Sequence, residues 1–112
     1  MKKFLALYMA PTASLDEMMK SSTPEEMKKS MEDWNAWAKR HKKELADLGN
    51  PAGKNKRVTE SGVADVRNEI CGYSIVTAAS HEAAADLFVD NPHFTIPGGY
   101  IEVLELLDMP GE

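Results

Sequence analysis

Cysteine is nearly absent from this chain. Cys71 stands alone, so no internal disulfide can form, and the fold must hold by packing in a reducing, cytoplasmic setting. Positive charge is also short. Thirteen Lys and Arg face 18 Asp and Glu, a formal charge of −5. Binding to nucleic acid needs clustered cations. The one basic cluster, Lys39-Arg40-His41-Lys42-Lys43, is flanked by acidic residues on the same helical stretch and reads as a solvated face. No apolar run approaches the roughly 18 residues of a membrane helix. The start Met1–Ala10 has the basic opening and apolar body of a signal peptide. Tyr8 and Pro11 interrupt it, however, no small-residue cleavage site follows, and it alternates as a strand. Neither nucleic acid nor membrane is therefore expected as a partner. There is no phosphate loop, nucleophile elbow, dinucleotide fingerprint or CxxC pair. His41, His81 and His93 make no i,i+4 pair, and neither a cofactor nor a metal is expected.

What is present is an order of segments, strand–helix–strand–strand–helix–strand, within one domain of 112 residues. Lys3–Met9 alternates Phe4, Ala6 and Tyr8 on one face with Leu5, Leu7 and Met9 on the other, so both faces are apolar. Thr12–Ser22 carries Leu15, Met18 and Met19 at helical spacing. It reads as a packing loop with a short helical turn, or as a methionine-bearing lid over a ligand. Thr23-Pro24-Glu25-Glu26 is a capping box with Pro at the first helical position. From it the stripe Met27, Met31, Trp34, Ala38, His41, Leu45, Leu48 predicts a helix over 24–48, closed by Gly49 and Asn50-Pro51. At 1.5 Å per residue such a helix is roughly 37 Å long and overhangs a small sheet.

Arg57–Ser61 reads as a polar edge strand, with turns at Ser61-Gly62 and Asp65–Glu69. Gly72–Ala79 is expected as a central strand, with Tyr73, Ile75 and Thr77 on one face and Ser74, Val76 and Ala78 on the other. Ser80 caps a helix over His81–Val89, and Pro97-Gly98-Gly99 turns the chain into a last strand, Tyr100–Leu107. Two right-handed crossovers then give an α+β fold, a four-stranded antiparallel sheet with two helices on one face. The other face, also apolar, calls for a homodimer packed sheet to sheet, with Val103 at the interface.

Several short motifs resemble those of the YCII-related (YciI-like, DGPF-containing) family. They are Gly49-Asn50-Pro51, Gly72-Tyr73-Ser74-Ile75-Val76, Ala83-Ala84-Ala85, Asn91-Pro92-His93 and Gly98-Gly99-Tyr100-Ile101-Glu102-Val103, spread over nearly the whole chain. The resemblance implies a ferredoxin-like βαββαβ domain that dimerises as an α/β barrel, and in some members a catalytic His–Asp pair acting on small organic compounds. Here Trp34 falls in the region of that family's early helical His, and Asn91 replaces the Asp of its DP pair. The pair does not carry over.

His93, in the loop Asn91–Pro97, is the expected proton-transfer residue, with Asp90 to orient it. Trp37, His41, Asn91 and Trp34 are expected to border the same cleft, roofed by Leu15–Met19. The function read from this is processing of a small molecule by a lyase, isomerase or hydrolase that needs no cofactor. The alternatives are a module that binds or senses such a molecule and a purely structural dimeric subunit.

Overall fold

The computed structural model describes residues 1–110 and is a mixed α+β fold. Its centre is β1, Lys2–Met9, which pairs antiparallel with β5, Ile70–Ala78, on one side and with β6, Tyr100–Glu105, on the other. The short strand β2, Leu45–Asp47, lies along the outer edge of β5, giving the order β2-β5-β1-β6. The predicted alternation appears residue by residue. Phe4, Ala6, Tyr8, Ser74, Val76 and Ala78 are buried on the inner face. Helix α2, Pro24–Arg40, lays Trp37 on that face, and helix α3, His81–Asp86, brings Ala84 and the following Phe88. Burying a Phe or Val side chain fully is worth about 1.5–3 kcal/mol, so this layer carries most of the stability. Leu5, Leu7, Met9, Tyr73 and Ile75 on the outer face are half-buried, and Leu104 is 43% exposed. Val103 packs against the inner core instead, so it is not on the outer face where an interface was expected.

Both caps form as the sequence predicts. Thr23 Oγ1 accepts the amide of Glu26 at 3.1 Å, and Ser80 Oγ accepts that of Ala83 at 3.1 Å. The helix, however, does not run to Leu48. It ends at Arg40, and a turn through His41 leads into β2. The cause is the free edge of β5, whose backbone groups need partners. Thr77 donates its amide to the Glu44 carbonyl at 2.7 Å, Leu45 registers with Val76, and Pro51 bridges to Gly72. Sheet pairing overrides the helical spacing of Leu45 and Leu48.

The edge strand expected at Arg57–Ser61 is likewise displaced. Strand β3, Asn55–Thr59, pairs only with β4, Gly62–Val66, as a separate two-stranded ribbon. Thr12–Ser21 is a regular helix, α1, rather than a loop. Arg67 holds it by bonding the Asp16 carboxylate and the Thr12 carbonyl. Among the described residues no helix is long and apolar enough to cross a membrane.

Candidate functional site

A cleft of about 420 Å³ opens between α2 and one end of the sheet. Met31 and Trp34 of α2 form one wall, and Tyr8 of β1 and Cys71–Tyr73 of β5 form the floor. The turn Gly49-Asn50-Pro51 closes one side, Pro92–Ile96 the other, and Met18 of α1 stands at the mouth. The turn depends on Gly49, whose φ is +78° and where a Cβ would lie 1.7 Å from the Tyr73 carbonyl oxygen.

The inner end is polar. Ser74 Oγ donates to the Leu48 carbonyl, so the 2.7 Å bond between Tyr8 and Ser74 must use the phenolic proton. Burial pushes the Tyr8 hydroxyl up to about 12, against the opposing hydrogen bonds to Ser74 and Asn91. Asn91 Oδ1 accepts the His93 amide at 2.8 Å and caps a single turn of 3₁₀ helix, Pro92–Thr95. Its Nδ2 is sealed from solvent and approaches the Tyr8 hydroxyl without closing a full hydrogen bond.

His93 is 4% exposed and packs 5.4 Å from the Tyr8 ring. Its Nε2 lies 2.7 Å from the Met9 carbonyl oxygen. A carbonyl only accepts, so Nε2 carries the proton and Nδ1 of the neutral ring presents a lone pair. Among the described residues the only sealed, unpartnered side-chain nitrogens are His41 Nε2 and Asn91 Nδ2. Among the described residues His93 Nδ1 takes no hydrogen bond and is not sealed, and His93 is one of the residues that line the cleft.

The six residues expected to form one site therefore divide. Trp34 and His93 line the cleft, and Asn91 supports it from behind. Trp37 does not line it. Its side chain is fully buried in the core, with Nε1 donating to the Leu87 carbonyl at 3.1 Å. His41 packs 5.2 Å from Trp37 on the far side. Asp90 does not orient His93. Its carboxylate takes Arg40 at 3.0 Å and lies 3.6 Å from His41 Nε2. Loss of hydration is the largest single influence and raises its pKa, but a backbone hydrogen bond and those two neighbours together outweigh it and leave the pKa lowered. Two helical turns separate Trp34 from His41, and the core lies between them.

Tyr8, Ser74, Cys71 and the Gly49–Pro51 turn were not singled out from the sequence as site residues. Their signal was a hydroxyl pair, Tyr8 and Ser74, on inward strand faces that are otherwise apolar. Only the pairing of Ala6 with Ser74 brings the two together. Burial pushes the Cys71 thiol up, and its Sγ bonds the Tyr8 carbonyl at 3.1 Å, which suits packing rather than nucleophilic attack. Among the described residues no three His, Cys, Asp or Glu side chains group as metal ligands. Comparison of the chain with models of protein families and with curated proteins finds no match.

Proposed function

We propose that the protein takes a small, largely apolar organic molecule into this cleft and moves a proton on it with His93, as a lyase, isomerase or hydrolase related to the YCII family. The observation that carries the reading is the imidazole at the inner end of the cleft, anchored through Nε2 and bare at Nδ1. The Met9 carbonyl does the orienting expected of a carboxylate, because it fixes the tautomer in which Nδ1 is the base. A proton taken from the substrate, or in hydrolysis from the water whose oxygen bonds the substrate, rests on the imidazole. It then returns to another atom of the same molecule, or to the group that departs.

The strand order β2-β5-β1-β6, with α2 joining β1 to β2 and α3 joining β5 to β6, supports a ferredoxin-like domain. The half-buried outer row of Leu5, Leu7, Tyr73 and Ile75 supports a two-fold dimer closed sheet to sheet, as in an α/β barrel.

One observation favours the second reading, a binding or sensing module. Asp90 is committed to Arg40 and His41, and among the described residues no carboxylate lines the cleft to stabilise an imidazolium at His93. The test is a thermal-shift screen of small metabolites, with each hit then incubated with the protein in D2O and followed by NMR. Turnover or deuterium uptake that disappears in His93→Gln supports catalysis. Hits without either support the binding module. A screen without a saturable hit, repeated with the neutral apolar dye N-phenyl-1-naphthylamine and again negative, refutes both.

A further inference from the structure

The hydrogen-bonding protons around the cleft set the chemical class of its occupant, an inference that rests on the cleft being a ligand site. Every hydroxyl or thiol proton near the inner end is already given away. Tyr8 donates to Ser74, Ser74 to the Leu48 carbonyl, Cys71 to the Tyr8 carbonyl, and Thr95 to the Pro92 carbonyl at 2.9 Å. His93 gives its Nε2 proton to Met9. Asn91 Nδ2, the one buried donor to spare, is sealed behind Tyr8. The side-chain donors left on the lining are Ser30, Asn35 and Asn50, all exposed, together with the indole N–H of half-buried Trp34 and the hydroxyl of half-buried Tyr73. Beside His93, where these protons are spent, the cleft offers a ligand a lone pair, that of Nδ1.

Charge narrows the class further. Among the described residues no Asp, Glu, Lys or Arg lines the cleft. An ion brought into an apolar site loses its hydration and finds no partner there, a loss of several kcal/mol in practice. The walls are flat and soft: the Trp34 ring stands edge-on to Tyr8 at 5.0 Å, with Met31 and Met18 alongside.

We infer that the cleft selects an uncharged molecule with a flat apolar body and one hydroxyl or N–H group, whose proton is received by His93 Nδ1. Phenols, enols and N–H heterocycles fit. Carboxylates, phosphates and ammonium compounds do not, and an ether of the same shape, which brings no proton to His93, is held less tightly.

Four probes of one shape test this by calorimetric titration: 2-naphthol, 2-methoxynaphthalene, 2-naphthoate and 2-naphthylmethylammonium. The naphthol should bind at least about tenfold more tightly than each of the others, the factor expected for one ordinary hydrogen bond kept or lost. His93→Leu removes the Nδ1 acceptor and puts no other in its place, and should bring the naphthol to the affinity of the ether. If that variant does not fold, the wild type still decides. The ¹⁵N resonance of His93 Nδ1 should move on addition of the naphthol and stay in place with the ether. Equal binding of naphthol and ether, tighter binding of either ion, or an unmoved Nδ1 resonance overturns the inference and leaves the cleft as a ligand site. No binding by any of the four overturns the ligand site as well.

Discussion

Tyr8 gives the most direct test of the buried polar end, because its hydroxyl ties pH to stability. In the unfolded chain the phenol ionises near 10.0, and in the folded protein burial pushes it up to about 12. Between these values the folded state holds a proton that the unfolded state has released. Stability due to this group is thus complete below pH 10 and falls as pH rises toward 12. At pH 11 the unfolded phenol is about nine-tenths ionised, which corresponds to about 1.4 kcal/mol lost from the folding free energy. The perturbation is Tyr8→Phe. At pH 8 it removes a hydroxyl bonded to Ser74 and leaves Asn91 Nδ2 with no polar neighbour, which should cost about 1–3 kcal/mol. Urea unfolding of wild type and variant, followed by tryptophan fluorescence at steps from pH 8 to pH 11, gives the comparison. The gap between them should narrow by about 1.4 kcal/mol across that range, since Lys and Arg titrations are common to both and cancel. Tyr100 is also raised to about 12, mainly by its hydrogen bond to the Glu69 carboxylate, so both proteins should carry Tyr100→Phe. Two curves that stay parallel would mean that the Tyr8 hydroxyl is not desolvated, and the described inner end would be wrong.

Gly49→Ala should lose more than about 3 kcal/mol, since a positive φ alone costs about 1–2 kcal/mol and the new Cβ would strike the Tyr73 carbonyl. An unchanged thermal melt would mean the turn is built differently. Leu7→Asp, on the outer face of the central strand, should convert a dimer to monomer in sedimentation at micromolar concentration, whereas a wild type already monomeric there removes the dimer. Thr23→Ala should lower stability by about 1 kcal/mol by removing the acceptor of the Glu26 amide, and an unchanged melt would place the start of α2 elsewhere. Asp90→Asn removes the charge from an exposed pair with Arg40 and from the carboxylate 3.6 Å from His41, so it should change stability by about 1 kcal/mol or less. It should also leave the His93 ¹⁵N resonances in place, and a shift there would restore Asp90 to the site.

Much of the fold was legible because it is local. The alternation in Lys3–Met9 and in Gly72–Ala79 sorted the side chains into the two faces correctly, without saying which turns inward, and Thr23 and Ser80 marked both helix starts. The end of α2 was not legible, because Leu45 and Leu48 continue a helical spacing while the edge of β5 claims their backbone. That edge lies more than 20 residues further along the chain. For the same reason Arg57–Ser61 was assigned to the sheet. Its composition suits an edge strand, and nothing local says that the edge position is already filled by Leu45–Asp47. Trp34 and Trp37 show the limit of helical periodicity. They sit about 60° apart around the axis, and that small angle decides which one meets the cleft and which one the core.

His93 was legible as a loop histidine, but its partner was not, because the partner is main chain. The pairing of β1 with β5 slips between Tyr8 and Met9, and β6 begins opposite Met9 at Tyr100. At this point two β1 carbonyls take side-chain donors: Tyr8 accepts from Cys71, and Met9 accepts from His93. An irregularity of this kind commonly sits beside a functional site, where it re-aims side chains and ends pairing. It also ties the site to the register of the sheet. Moving β1 by one residue would turn Tyr8 away from Ser74 and bring a different carbonyl to His93. A search for a nearby carboxylate, natural for a histidine expected to act as a base, looks past this arrangement. Any residue type can supply a carbonyl, so position nine carries no sign of its role. The tautomer of His93, and with it the preference of the cleft for a ligand that donates a proton, follows from backbone geometry alone.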